Sequence, residues 1–417
     1  MGNTRTMTIS NNKIPEYVSR VTDQLEKAGF EAYLVGGCVR DLLMDKEPKD
    51  WDITTNATPE EIQSLFEKTV YENSFGTVAV CIPKVSPETE EKDVTRGTSN
   101  IEDDSGVNDV SHETSTSIDH KIKTNYNIVE VTPYRTEEKY TDSRHPDTVS
   151  FSKNIEDDLK RRDLTINAMA FSPIKGQIID LYKGQDDIKD KIVRTVGNPT
   201  NRFSEDALRL LRAVRFSTVL NFVIEKETAD AIVALAPTLQ KISQERIRDE
   251  FVKIIESKDP MLGIGLLERY GLLEYIVPEL REGIGCDQKG EHIYDVFEHC
   301  LHALGHAADK HAPLEIRLAA LVHDIGKPRT RRWDATKAGG KGKYTFYGHE
   351  VVGAKLTKKI LERLHFPKKT IELVTKLVRS HMFFSDTETI TLSAVRRVIQ
   401  NVGRDHIWDL MQVRECD

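Results

Sequence analysis

Residues 34–54 read LVGGCVRDLLMDKEPKDWDIT. A short apolar run ends in two glycines, a short helical pattern follows, and then two acids, Asp50 and Asp52, stand one residue apart. AYLV (32–35) predicts a strand and CVRDLLM a short helix, so Gly36 and Gly37 form the turn between them. Glycine lets the backbone approach a ligand closely, and a helix N-terminus offers free N–H groups to a phosphate. WDIT predicts the next strand. Alternation along it would put Asp50 and Asp52 on one face, where two carboxylates repel unless a cation lies between them.

A third acid completes the pattern. In NIVEVTPYR (127–135), a further predicted strand, Ile128, Glu130 and Thr132 share one face while Val129 and Val131 take the other. Three carboxylates on neighbouring strands can hold two Mg²⁺ ions roughly 4 Å apart, which serves phosphoryl or nucleotidyl transfer. Asp50, Asp52 and Glu130 are therefore the candidate catalytic and metal-holding residues of the first part of the chain.

Around these strands, Ile14, Val18, Val21 and Leu25 give residues 14–28 an amphipathic helical face. Pro59 opens a helix over PEEIQSLFEK (59–68), with Thr58 as its N-cap, and TVAVCI (77–82) predicts another strand. From about Asp186 onward strand signals fade and helical periodicity takes over. The fold class is α+β: a mixed α/β head over 1–185, a helical neck over 186–256 and a helical body over 257–417. No internal repeat of fixed period is present. The chain stops directly after a helical stretch, as a fragment would.

Composition sets limits. The chain has 417 residues, 30% of them charged, and a formal net charge of −8. No apolar run approaches the roughly 18 residues of a membrane span, so no membrane partner is expected. The N-terminus has no apolar leader, and five scattered cysteines form no CxxC pair, which suits a reduced, cytoplasmic setting. Between Ser86 and His120 ten acids face only Lys92 and Arg96. This marks residues 84–125 as an acidic, disordered-like insertion in the head. The net charge excludes a broadly basic coat but leaves room for a local basic groove.

The glycine pair and the DWD acids resemble the nucleotidyltransferase motif of class II tRNA nucleotidyltransferases (CCA-adding enzymes) and the related bacterial poly(A) polymerases. The likeness continues through DLKRRDLTINAMAF (158–171), the stretch 180–216 and SQERIRDEF (243–251). It implies that Asp50, Asp52 and Glu130 bind Mg²⁺. It further implies a nucleotide-binding set of Gly36, Gly37, Arg40, Arg162, Asp163 and Asn167. Adjacent guanidinium groups suit a triphosphate on physical grounds as well.

In SEDALRLLR, Asp206 and Arg209 are spaced i, i+3, on one face of the predicted helix. An Asp acceptor beside an Arg donor complements the amine and ring nitrogen of cytosine and adenine, and is mismatched to uracil and guanine. The resemblance implies that this pair reads CTP and ATP without a nucleic-acid template, with Arg212 one turn on in support. Glu245, Arg246 and Glu250 read as a brace behind that helix. The polar stretch RTEEKYTDSRHPDTVSF (135–151) resembles the flexible loop that lets CCA-adding enzymes switch from C to A.

LAALVHDIGKP (318–328) places His323 and Asp324 at the end of an apolar helix, with His299 upstream and His349 and His381 downstream. His and Asp on facing helices can hold a divalent metal. The order H…HD…H…H resembles the HD-domain metal phosphohydrolases, which need a late Asp; Asp417 is the candidate. Some CCA-adding enzymes use such a domain on 2′,3′-cyclic or terminal phosphates. Lys355, Lys358, Lys359, Lys368, Lys369, Lys376 and Arg379 could contact an RNA backbone. The expected activity is addition of CCA to the 3′ end of tRNA from CTP and ATP. Poly(A) or A-only synthesis, an HD phosphohydrolase with a non-catalytic head, and a non-catalytic RNA-binding protein are the alternatives. Oligomeric state is not legible.

Overall fold

The computed structural model describes residues 7–72, 76–84, 125–138, 148–288, 293–337, 342–383 and 391–417. Most of the acidic insertion thus lies outside the described residues. The chain forms two compact units: residues 1–138 with 147–188, and 139–146 with 189–417.

The first unit is built on a seven-stranded sheet in the order β3-β4-β5-β2-β1-β8-β9. Its strands are β1 (Ala32–Val35), β2 (Asp52–Thr55), β3 (Thr69–Glu72), β4 (Thr77–Pro83), β5 (Tyr126–Pro133), β8 (Met169–Ser172) and β9 (Gln177–Asp180). A separate antiparallel pair, β6 (Arg135–Glu138) with β7 (Thr148–Phe151), is formed by the two ends of the polar stretch 135–151. Helices α1 (Glu16–Lys27), α2 (Gly37–Leu43), α3 (Pro59–Leu65), α4 (Ile155–Lys160) and α5 (Gly184–Asp190) complete it. All four residues of β1 are buried, as their apolar run requires. Val18, Val21 and Leu25 bury the predicted stripe of α1. A core cluster of Tyr33, Val35, Tyr134, Ile155, Leu159 and Ala170 fixes β1 and β8 against α4.

Three expectations need correction here. Asp50 lies outside β2, which begins at Asp52, so strand alternation does not place the two acids on one face. Helix α3 stops at Leu65 rather than 68, because Phe66 is extended and Thr69, Val70 and Tyr71, β-branched or aromatic, join the sheet instead. Its N-terminus is as read: Thr58 and Glu61 form a reciprocal capping box. Strands β3, β8 and β9 carry no period-2 signal, since β8 is buried on both faces.

The second unit is helical. It contains α6 (Pro199–Glu205), α7 (Leu208–Leu220), α8 (Lys226–Leu235), α9 (Gln244–Ile255), α10 (Pro260–Arg269), α11 (Val296–Asp309), α12 (Leu314–Val322), α13 (His349–Arg363), α14 (Lys368–Ser380), α15 (Leu392–Val402) and α16 (Ile407–Cys416). Strand structure does not vanish: β10 (Ile192–Val193) pairs with β11 (Val223–Ile224), and β12 (Arg332–Asp334) with β13 (Lys343–Thr345). The single helix expected over SEDALRLLR is broken, because Asp206 has extended backbone angles of −145° and 109° between α6 and α7. Arg317 of α12 is buried and donates to the carbonyls of Ile255 and Ser257, which closes the C-terminus of α9.

Candidate functional site

In the first unit the candidate residues gather at the turn between β1 and α2. Gly36 has φ 77° and ψ −129°, a conformation only glycine adopts freely. A methyl group there would stand 3.0 Å from Nη1 of Arg162 and 3.7 Å from Oδ2 of Asp52. The backbone of Gly36, the guanidinium of Arg162 and the carboxylate of Asp52 therefore share one small space. Asp52 is also the register partner of Glu130 across the parallel pair β2–β5, so both side chains leave the same face of the sheet.

Arg162 is aimed by a residue that the sequence reading missed. Asp158, fully buried in α4, accepts from Nε and Nη2 of Arg162 at 3.2 and 2.8 Å, and from Nε and Nη2 of Arg161 at 3.0 and 2.5 Å. Burial alone would raise the Asp158 carboxyl, but the two arginines outweigh it and hold it below the usual carboxylate range. The signal was its i, i+3 and i, i+4 spacing to those arginines. The Asp52 carboxyl is shifted the other way. Burial raises it, Arg162 offsets part of that, and Asp50 adds to it.

Arg40 donates through Nη1 to Oδ1 of Asn167 at 2.7 Å, which links α2 to the turn Thr165–Asn167. Asp163 is buried and accepts the Leu164 N–H at 2.8 Å. The turn is pinned from behind by Thr165 to Asp187, 2.6 Å. Gly184 packs so closely there that a methyl group would lie 2.4 Å from the Thr165 carbonyl oxygen. Asp50 is exposed in the bend before β2, and Asp50, Asp52 and Glu130 do not converge within the 4.8 Å spacing of a ready ligand group. A cation there would be held chiefly by Asp52 and Glu130 on the sheet, with Asp50 from the bend.

In the neck, the Asp206 carboxylate does not pair with the Arg209 guanidinium; the two residues meet only through the backbone, Arg209 N–H donating to the Asp206 carbonyl at 3.0 Å. The carboxylate accepts from Nη2 of Arg246 at 2.7 Å and from the Leu208 N–H at 3.0 Å. Arg209 bonds Glu205 at 2.5 Å, and Glu205 also takes Arg202 at 2.7 Å. Arg212 lies over the Phe216 ring, 5.5 Å from its centroid. The expected brace is present: Arg246 holds Asp206, and Glu250 is buried against Arg215 at 3.1 Å.

The second unit holds a tighter cluster. His299 comes from α11, His323 and Asp324 follow α12, His349 opens α13, His381 follows α14 and Asp417 follows α16. The ligand atoms of His299, His323, Asp324 and Asp417 lie within 4.8 Å of one another, as do those of Asp324, His349 and His381. Asp324 is common to both groups. The Nδ1 atoms of His323, His349 and His381 meet the carbonyls of Ala320, Phe346 and Val378 at 2.8, 2.8 and 2.7 Å. A carbonyl can only accept, so each Nδ1 carries a proton, and Nε2 is the ring atom each histidine turns inward to offer a metal. Nε2 of His349 and of His381 are 3.2 Å apart, and those of His299 and His323 3.0 Å. Facing lone pairs repel, and a divalent cation shared with Asp324 satisfies them. These donors fit such an ion.

Charge shifts follow the same logic. Burial would lower His323, but Asp324 and Asp417 outweigh it and push its imidazole up to about 10. Asp324 and Asp417 are held far below the usual carboxylate range despite burial, by the surrounding histidines. Lys327, whose Nζ lies 2.5 Å from Oδ2 of Asp324, was not singled out from the sequence.

Three family models match in tandem: the poly A polymerase head domain over 32–120 and 89–194, a probable RNA and SrmB-binding site of polymerase A over 221–284, and the HD domain over 291–409. The chain carries these three domains in this order and is similar to CCA-adding enzymes. A CCA-adding enzyme of Lactobacillus helveticus is 40% identical over 280 residues, 66% of this chain and 57% of its own. One of Ligilactobacillus salivarius is 43% identical over 244 residues, 58% of this chain and 50% of its own. The chain thus spans about half the length of the curated relatives it matches. The solved Bacillus stearothermophilus CCA-adding enzyme in complex with CTP aligns over 97% of this chain and 78% of its own, with 27% identity and a TM-score of 0.66. The α+β family fold and the order head, RNA-binding region, HD domain agree with the expectation drawn from the sequence. Among the described residues no helix is long and apolar enough to cross a membrane.

Proposed function

We propose that this protein adds CCA to the 3′ end of tRNA in the cytoplasm, taking CTP and then ATP without a nucleic-acid template. The observation that carries the reading is the convergence of Arg162, Asp52 and the bare backbone of Gly36, with Glu130 opposite Asp52. Arg162, fixed by Asp158, binds and orients the triphosphate. Asp163, Asn167 and Arg40 position the sugar, and Gly36 and Gly37 let the phosphates approach the backbone. Asp52, Glu130 and Asp50 hold Mg²⁺, which when bound lowers the barrier for attack of the RNA 3′-hydroxyl on the α-phosphate. Asp206 and Arg209, with Arg212 in support, select cytosine and adenine by their hydrogen-bonding edges. The names of the relatives, and the CTP in the solved Bacillus enzyme, point the same way. The test is tRNA ending at its discriminator base, incubated with each nucleotide triphosphate alone and in combination, with the ends sequenced. CCA termini support the reading; extension by uridine as readily as by cytidine, or long A tails, would overturn it.

The histidine cluster supports a second activity in the same chain, metal-dependent hydrolysis of a phosphoester. Five candidate ligands, His299, His323, His349, His381 and Asp417, gather around Asp324. Ring opening of a 2′,3′-cyclic phosphate to a phosphomonoester, or release of phosphate from a terminal phosphate, lost in His323→Ala and kept in Asp52→Ala, is the expected result.

A further inference from the structure

A cleft of about 810 Å³ opens over the histidine cluster, with Asp324, His349 and Asp417 on its floor. Its wall includes Lys343, Tyr344 and Thr345 of β13 and the turn residues Phe346 and Tyr347, with Glu350, Met382 and Arg414 also lining it. Two aromatic side chains of this hairpin are exposed. Tyr347 is 77% exposed, and Trp333 across the ribbon is 50% exposed. The inner ring of the ribbon is packed on both sides. Trp333 meets Tyr344 edge-on at 5.0 Å, and Arg331 lies over the other ring at 3.8 Å from the Tyr344 centroid. Gly342, with φ 75°, leaves room for the Trp333 ring, since a methyl group there would overlap it.

Cations line the same cleft. Lys327, Lys343 and Arg414 all line the cleft. Lys327 and Arg414 are each tied to an acid of the cluster, Asp324 and Asp417, at 2.5 Å. Lys343 has no ion-pair partner among the described residues and is exposed at the rim. Phosphate needs the cations and the metal, but has no use for exposed rings. A planar base has a π-face that stacks on aromatic side chains, whatever its sequence. A site for inorganic phosphate or pyrophosphate would not place tyrosines at its mouth.

We propose that the ribbon wall, through Tyr347 and Lys343, is the specificity element of the histidine site and selects phosphoesters that carry a planar base over plain phosphates. The proposal rests on the hydrolytic reading of the cluster and adds its selecting residues. A base stacks on Tyr347, its phosphate meets Lys343 at the rim, and the reacting group reaches the floor of the cleft. The base-bearing group can be a free nucleotide or the terminal nucleotide of an RNA.

The test is calorimetric titration of the full chain with manganese present. It carries Arg162→Ala so that the head does not bind the probe. The probes are the methylenephosphonate analogue of AMP, methylphosphonate without a base, and a trinucleotide with a 3′-phosphorothioate. Base-bearing probes should bind, and Tyr347→Ala should weaken them about tenfold while Tyr347→Phe restores them. Lys343→Ala should weaken probes with and without a base alike. The tighter of the two base-bearing probes identifies the source. Unchanged affinity in Tyr347→Ala, or methylphosphonate binding as tightly as the AMP analogue, would overturn the proposal. Metal content measured on the same samples separates the two readings. A protein that takes up no metal, yet still shows Tyr347-dependent binding, sinks the hydrolytic reading and supports the wall.

Discussion

At the residue scale the head depends on a glycine and a buried acid that act on the same arginine. Gly36→Ala forces a side chain into a positive-φ position and brings it to 3.0 Å from Arg162. Displacing a triphosphate clamp by this much should cut nucleotide incorporation about 100-fold, with the fold retained by circular dichroism. Asp158→Asn acts from beneath. It leaves two half-buried guanidinium groups without their counter-ion, so we expect about 3 kcal/mol less stability in urea unfolding. The pH dependence has a definite sign. The Asp158 carboxyl is depressed in the folded state, so its contribution is present above the unfolded pKa of about 4 and is lost as pH falls through the lower folded value. The asparagine variant should lose that acid-sensitive component. Glycines and paired acids announce themselves in a sequence because few other reasons put them together. A buried counter-ion does not, since Asp158 differs from any surface acid only by what packs over it.

At the scale of elements, the neck and the histidine cluster show what periodicity can and cannot reveal. The helical pattern of SEDALRLLR continues through Asp206, yet the chain breaks there because Arg246 of α9 and the Leu208 N–H capture the carboxylate. A tertiary partner overrides local propensity, and one sequence without its fold does not show it. Arg246→Ala should release Asp206 and raise uridine misincorporation about tenfold, read by sequencing of extended ends. The histidines were legible as a set because each sits at the end or the start of an apolar helix. The ribbon beside them was not, because its strands are three residues each. In the cluster, protons and metal compete for the same Nε2 atoms. His323 is pushed up to about 10, so without metal its protonated form contributes stability that is full below about pH 6.5 and fades as pH rises toward that value. Metal affinity should therefore rise with pH, about tenfold per unit if one proton is displaced, and this can be followed by competition with a chromophoric chelator.

At the scale of the whole molecule, two candidate metal-holding sites lie on one chain without sharing residues. Asp52 and Glu130 lie on strands of the first unit with Asp50 in the bend before β2, the histidine cluster lies at helix ends of the second, and each unit has its own core. Their metals should therefore be separable. Chelator treatment of the purified protein should lower the thermal midpoint of the helical unit by about 5–10 °C, because the facing imidazole lone pairs then have only protons between them. The same treatment should leave the first unit's midpoint nearly unchanged, since Asp52 and Glu130 are held by the sheet register whether or not an ion is near. Single substitutions sharpen the contrast. Asp52→Ala should abolish cytidine incorporation and leave the metal content of the helical unit and phosphoester hydrolysis intact. His323→Ala should remove metal from the helical unit and hydrolysis with it, while cytidine incorporation persists. Loss of both activities in either variant would mean that the helical unit acts as a body whose integrity the head requires. In that case the ligands around Asp324 serve folding rather than a second reaction.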